Sequence, residues 1–363
     1  MRNTFGNKVS VTIFGESHGG AVGAVLDGLA PGIRVSEEYI AEKLSLRRPV
    51  GMISTSRVEP DHFQIVSGVF NGTTTGTPIC IMIPNENVRS RDYESTRALA
   101  RPGHADFTAH CKYQGYEDYR GGGHFSGRLT AALVAAGAIA MSALEDKGVL
   151  IGTHISKCAG IRDRGFNFPD PEDDLRRLSR RSFAVLDEKA AAQMRGAIER
   201  AAAEGDSVGG VLETAVTGLP AGIGDPWFDS VEGVLSHALF SIPAVKGVEF
   251  GDGFALADMR GSEANDPFAV RDGKIITTTN HNGGINGGIS NGMPIVFRCA
   301  VKPTPSIGKE QKTVNMFSKT EDRIVISGRH DPAIVHRARI VVDCVTALVL
   351  CDLGSSVFTD TNL

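Results

Sequence analysis

Apolar positions along this chain fall into two rhythms. Short alternating or continuous apolar runs, bounded by Gly, Pro, Asn and Asp, predict strands at Val9–Phe14, His62–Phe70, Ile79–Pro84, Val211–Gly218, Ile275–Thr279, Ile295–Ala300 and Arg323–Ile326. Four longer segments read as helices. Ser36 caps the first, with Glu37 and Glu38 on its positive end, and it stops before Pro49. Ser126 or Thr130 opens the second, which runs through Ala131–Leu144 to Gly148. It is apolar on all sides, the signature of a core helix. Asp187–Glu204 is a third, amphipathic and ended by Gly205. Asp331 and Pro332 open the fourth as N-cap and first helical residue, and it runs through Ile340–Leu353 to Gly354.

Buried helices alternating with groups of short strands predict mixed α/β layers, with the helices between sheets. The spacing lacks the regular strand–helix alternation of a doubly wound sheet. The polar segment Arg162–Arg181 reads as a surface excursion. At 363 residues the chain suits one large unit or two domains.

Composition adds three constraints. The formal net charge of −4 does not indicate a basic nucleic-acid surface, and no apolar run approaches the roughly 18 residues of a membrane span. The first residues carry no apolar signal-peptide core. The six cysteines form no C-x-x-C pair, which points to reduced thiols in a cytoplasmic protein and away from zinc held by cysteine, and no metal site is expected. Glycine is the outlier, with 43 residues, about 12% against a usual ~7%. The glycines cluster at 15–32, 121–127, 205–224, 247–253 and 283–292, beside His, Arg, Asn and Ser. That combination favours backbone brought close to a ligand.

Gly15-Glu16-Ser17-His18-Gly19 fits G-x-S-x-G, the nucleophile elbow of α/β-hydrolases. The stretch Ala21–Leu29 after it is broken by Gly23 and Gly28 and is no convincing helix. His18 also adjoins Ser17, so a serine hydrolase built on Ser17 is a rival reading only. Residues 47–128 hold Arg47, Arg48, Arg57, Arg89, Arg91, Arg97, Arg101, Arg120 and Arg128 but a single lysine, Lys112. That bias suits bidentate recognition of phosphate and carboxylate, although neighbouring acids such as Glu59, Asp106, Glu117 and Asp118 can pair with some of them. Arg101-Pro102-Gly103-His104 presents a second loop histidine, and two histidines beside an arginine field suggest acid catalysis on an anion. Gly121–Arg128 offers free N–H groups before the apolar helix but lacks the Walker A lysine, and no G-x-G-x-x-G is present. Asn280–Ser290 and Lys302–Ser306 together suit an anion or flavin-phosphate cradle. Asp331 reads first as an N-cap that leaves one carboxylate oxygen for function.

Together these stretches resemble chorismate synthase. The matching blocks are Gly15–Gly19 through Asp27-Gly28, Gly123–Arg128 into Ala135–Ile139, and Arg329-His330-Asp331-Pro332. Arg47-Arg48-Pro49, Arg101–Asp106, Asp118–Gly123, Gly205–Gly209, Ala244–Glu249 and Lys302–Thr304 match between them, in order. The resemblance implies an α+β fold, a β-α-β sandwich with core helices between antiparallel sheets, as a single domain over residues 1–363 in a homotetramer. It implies conversion of 5-enolpyruvylshikimate 3-phosphate to chorismate and phosphate by anti-1,4 elimination with reduced FMN, in aromatic amino acid biosynthesis by the shikimate pathway. On the family pattern His18 protonates the reduced flavin and His104 the departing phosphate. Asp331 assists removal of the ring proton, and Ser17 and Ser126 support proton relay. Arg47, Arg48 and Arg128 bind substrate, with Arg47 and Arg48 also suited to nicotinamide-type anions such as NADP. Flavin contacts fall to His124, Phe125, Ser126, Pro243, Ala244, Gly287, Lys302, Pro303, Thr304, Pro305, Ser306 and Arg329. A separate flavin reductase or other reductant is expected, since no dinucleotide fingerprint is present.

The chain departs from the family pattern at His124 and Phe125, where Arg-Ser or Ala is usual, and at Met52 and Ile53, where an arginine is often found. It also departs at Asp343, where glutamate is usual, and at Pro243. A flavin- or phosphate-binding paralogue with lost or altered activity is the second alternative.

Overall fold

The computed structural model describes residues 2–54, 59–86, 97–326 and 331–355. The first half carries β1 (Thr4–Phe5), β2 (Ser10–Gly15), β3 (Ala21–Asp27), α1 (Glu37–Ser45), β4 (Gln64–Ser67), β5 (Val69–Phe70), β6 (Thr73–Thr74), β7 (Ile79–Pro84), α2 (Asp106–Tyr113) and α3 (Thr130–Glu145). Then come β8 (Leu150–Cys158), β9 (Ile161–Arg162), α4 (Glu172–Leu178), α5 (Glu188–Ala203), β10 (Gly210–Thr217), α6 (Val231–Leu239) and β11 (Val245–Phe250). The chain ends through α7 (Gly261–Ala264), β12 (Phe268–Arg271), β13 (Lys274–Thr277), β14 (Ile285–Asn286), β15 (Ile289–Ser290), β16 (Ile295–Val301), β17 (Gln311–Asn315), β18 (Thr320–Ile324) and α8 (Val335–Leu353).

Two five-stranded antiparallel sheets enclose the core. One has the order β1-β2-β3-β7-β4, the other β11-β16-β10-β8-β9. Between them α3 packs on β3 and β7, α8 packs on β8 and β10, and the two helices pack on each other. This is the expected α+β sandwich with helices between antiparallel sheets. Fourteen of the sixteen α3 residues are buried, because both flanks of the helix face protein. The stretch Gly127–Glu145 is long and apolar enough to cross a membrane, but 89% of it lies inside the protein, as a core helix does. A Cβ on Gly137 would stand 2.4 Å from the Cβ of Cys344, so glycine is what lets α3 and α8 approach so closely. Asp352, at the end of α8, accepts backbone N–H groups of Asn7, Lys8 and Val9 at 2.7–3.1 Å and ties the last helix to the first sheet.

Local rules place several ends correctly. Ser36 accepts from Tyr39 N and caps α1, and Asp187 accepts from Ala190 N and caps α5. Ser126 caps a 3-10 turn, Gly127–Leu129, and α3 proper starts at Thr130. The expected cap of α8 is different. The helix begins at Val335, four residues after Asp331, and the Asp331 carboxylate takes the Arg337 guanidinium at 2.5 Å instead of a helix N–H. An ion pair with a charged donor outweighs a single cap bond. The Arg162–Arg181 excursion contains α4, whose Leu175 and Leu178 are buried. Strands β3 and β8 escape the apolar pattern because β3 carries Gly23 and β8 buries Thr153 and His154.

Candidate active site

The β2–β3 hairpin closes through Glu16–Gly20, and this turn carries Ser17 and His18. Both are buried, at 2% and 6% exposure. Gly19 N donates to Glu16 O at 3.1 Å, and Ser17 N donates to Gly123 O at 3.1 Å. The hairpin turn is thus fastened to the glycine run. A strand–turn–strand context is not the strand–turn–helix of a nucleophile elbow, so the hydrolase reading of Ser17 loses its structural support.

Gly121, Gly122 and Gly123 all have positive φ, at 58°, 81° and 51°. The consequence is contact. An ideal Cβ on Gly121 would stand 2.2 Å from His18 Cε1 and 2.3 Å from its Nδ1, and one on Gly122 would stand 3.1 Å from His104 Cε1. Two histidines distant in sequence therefore lie against consecutive bare backbone positions. His104 is held from its other side. Arg101 Nη2 lies 3.3 Å from His104 Nδ1, and Arg101 grips Asp106 through Nε at 2.8 Å and Nη2 at 2.7 Å. Burial alone would raise the Asp106 carboxyl, but Arg101 and His104 reverse this and hold it below the usual carboxylate range. Nδ1 faces Arg101 and Asp106, so Nε2 is the ring nitrogen turned away from them. Asp118 is likewise held low, foremost by the Arg120 guanidinium and in lesser part by His18.

The glycine run and the hairpin turn divide two cavities. The first, of about 380 Å³, is lined by Gly15, Glu16, His104, Gly122, His124 and Phe125, with Tyr113, Tyr116 and Tyr119 beyond. His124 Nδ1 donates to Gly15 O at 2.8 Å, which locks the loop onto β2, and Phe125 meets Tyr113 edge to face. The second, of about 260 Å³, is lined by Ser17, Ser126, Arg47, Arg48, Arg128 and Arg337, with Pro243 at its edge. Asp61, itself buried, bridges two of these arginines. It accepts Arg47 Nη1 at 2.9 Å and also pairs with Arg128 Nη1. Burial foremost pushes the Arg47 guanidinium down to about 10 against the pull of Asp61, so it stays charged at neutral pH. Arg337 donates to Arg47 O at 2.6 Å and to Asp331, which ties Asp331 to an arginine of the cavity wall.

A family model described as chorismate synthase matches residues 9–354. The chain belongs to the chorismate synthase family. Chorismate synthase of Pyrococcus abyssi is 48% identical over 96% of both chains. That of Dehalococcoides mccartyi is 47% identical over 98% of this chain and 97% of its own. A crystal structure of chorismate synthase superposes with a TM-score of 0.76 at 28% identity, covering 97% of this chain and 93% of that one.

The flavin-binding residues expected of a chorismate synthase are only partly gathered. Lys302 N donates to Ala244 O at 2.9 Å, and Lys302 Nζ donates to Gly103 O at 2.5 Å, beside His104. Pro303 packs on Gly209, and Pro305 on Gly103. Thr304 O accepts from Ser207, while Thr304 Oγ1 is buried with no hydrogen-bond partner among the described residues. An orphaned hydroxyl beside a lysine fits a phosphate-bearing cofactor. Ser306 follows on the same loop. Gly287 sits in the β14–β15 turn, its neighbour Gly288 packed on Ser230, and lines neither cavity. Arg329, with Arg57, Arg89, Arg91 and His330, lies outside the described residues.

Sequence reasoning missed Asp61, Asn85 and Arg337. Asp61 has the positive φ of 53° that non-glycine residues seldom adopt, and it sits beside His62 in an unremarkable stretch. Arg337 lies on α8, where a helical arginine gives no loop signal. Of the arginine field, Arg101 and Arg120 are held by Asp106 and Asp118, whereas Arg47, Arg48 and Arg128 face the second cavity.

Proposed function

We propose that the protein is a carbon–oxygen lyase that converts 5-enolpyruvylshikimate 3-phosphate to chorismate and phosphate, and that the two cavities form its active site within one domain. The observation that carries this reading is the seating of His18 and His104 on consecutive glycines, with His104 lining the aromatic cavity and Ser17, the neighbour of His18, lining the arginine-lined one. The elimination breaks one C–H and one C–O bond and forms one C=C bond, so a proton must leave and the departing phosphate must gain one. Arg47, Arg48, Arg128 and Arg337 supply fixed positive charge for a phosphate and two carboxylates. His104 is oriented by Arg101 and Asp106 so that Nε2 delivers the proton to the leaving phosphate oxygen. His18 adjoins Ser17, and Ser17 and Ser126 both line the second cavity, where they support proton relay. Asp331, gripped by Arg337 through one oxygen, handles the ring proton.

Reduced FMN, when bound, supplies electron-transfer chemistry that side chains lack. Lys302, Thr304 and Ser306 would hold its phosphate, and His124, Phe125, Ser126, Pro243 and Ala244 its remainder. Exposed Trp227, Phe228, Phe254 and Phe268 support a homotetramer. The six free cysteines support a cytoplasmic protein, with a separate reductant for the flavin.

The test is anaerobic release of phosphate and chorismate with photoreduced FMN. The folded protein turns over, and His104→Ala loses about 10²–10⁴-fold, the usual worth of a positioned acid, while FMN binding persists. Absence of turnover by the folded wild type would refute the reading, and unchanged turnover in His104→Ala would refute the role of that residue.

A further inference from the structure

We propose that Asn85 is a positioning residue that couples anion binding in the arginine-lined cavity to the placement of His18. Asn85 follows the last residue of β7 and divides its side chain between the hairpin turn and Arg128. Its Nδ2 donates to Glu16 O and to Gly19 O, each at 2.9 Å. These carbonyls lie on either side of Ser17 and His18. Its backbone N donates to Gly20 O at 3.1 Å. Its Oδ1 accepts from Arg128 Nε at 3.0 Å. The amide cannot be turned over, because its donor side meets two carbonyls and its acceptor side meets a guanidinium.

Arg128 is the other half of the coupling. Its Nη1 pairs with Asp61 and its Nη2 donates to Pro84 O at 3.2 Å. A guanidinium has five N–H donors and three meet partners among the described residues, which leaves two for an incoming anion. The guanidinium is planar and rigid, so an anion that draws on those donors tilts Nε as well. Asn85 then carries that tilt to both carbonyls of the turn. The route from anion to His18 is one arginine, one amide and the hairpin turn, all in direct hydrogen-bond contact. An anion in the second cavity thereby tightens the turn that holds the histidine.

This inference rests on the lyase reading for its catalytic consequence but not for its physical test. Asn85→Asp keeps an acceptor for Arg128 and replaces the two donors with an oxygen facing two carbonyls. Hydrogen–deuterium exchange of the peptide spanning Glu16–Gly20 is measured by mass spectrometry with and without inorganic phosphate. In the wild type phosphate slows this exchange, and in Asn85→Asp that slowing is lost although phosphate still binds. Asn85→Gln, which keeps the amide but displaces it by one methylene, shows a reduced effect and serves if the aspartate variant does not fold. Equal protection in wild type and variants would overturn the proposal, since phosphate would then act on the turn directly through Ser17. In turnover, Asn85→Asp lowers kcat on the order of 10²-fold with KM within about threefold, the scale of a misplaced catalytic group. The same change in a His18→Ala background has no further effect on kcat, and an equal loss in both backgrounds would reduce Asn85 to a structural role. Failure of turnover in the wild type would instead strike the lyase reading and leave the exchange result standing.

Discussion

Gly121→Ala is the sharpest perturbation this site offers. The added Cβ would stand 2.2 Å from His18 Cε1, and ordinary contact begins near 3.4 Å, so ring and backbone must part by about 1.2 Å. A misplacement of about 1 Å at a catalytic group costs on the order of 10²-fold in rate. The substitution also places a side chain at φ +58°, which costs roughly 1–2 kcal/mol in stability. Two controls separate these effects. Gly148 has φ +81° with open space around its would-be Cβ, so Gly148→Ala carries the backbone cost without touching the site. Gly122→Ala approaches His104 at 3.1 Å and asks for a shift of only a few tenths of an ångström. Turnover should therefore fall steeply in Gly121→Ala, modestly in Gly122→Ala and not in Gly148→Ala, whereas thermal unfolding shifts down in all three. The assay is anaerobic chorismate release with photoreduced FMN, paired with thermal melts of each variant. If Gly121→Ala turns over within about threefold of Gly148→Ala, then His18 does no chemistry at this position and the assignment fails.

Buried charge gives two further outcomes. Asp61→Asn leaves Arg47 and Arg128 buried without their shared carboxylate, a loss of about 3–5 kcal/mol in urea unfolding, and millimolar phosphate should restore part of it by taking the empty place. On the outer face of the second sheet, His154 is buried between Asp163 and Glu213, each 2.9 Å from a ring nitrogen. Burial alone would lower its pKa, but the two carboxylates raise it above 6.5. The stabilisation is then complete below about pH 6.5 and is lost as pH rises through the higher folded value. The urea unfolding free energy of the wild type should fall from pH 6.5 upward, by at most about 1.4 kcal/mol per pH unit, and His154→Gln should remove this slope. A slope that persists in His154→Gln would show that another group carries it.

Periodicity and turn chemistry alone determine much of this protein. The uniformly apolar run Ala131–Leu144 reads as a helix buried on every side, and the caps Ser36 and Asp187 announce their helices through one hydroxyl and one carboxylate. The glycine clusters and the two loop histidines are equally local, which is why His18, His104 and the Gly121–Arg128 loop were legible as parts of the candidate site. Three decisions belonged to the tertiary structure. Asp331 is drawn from its capping place by Arg337, a residue six positions on that reads as an ordinary helical arginine until the fold turns it toward Asp331. Which arginines face the second cavity was settled by where Asp61, Asp106 and Asp118 fall, and ion pairing depends on distances in space. The sequence also concealed Asn85, because an asparagine after a strand is a common turn residue. Only the meeting of β7 with the β2–β3 hairpin and Arg128 gives all three of its amide contacts their direction.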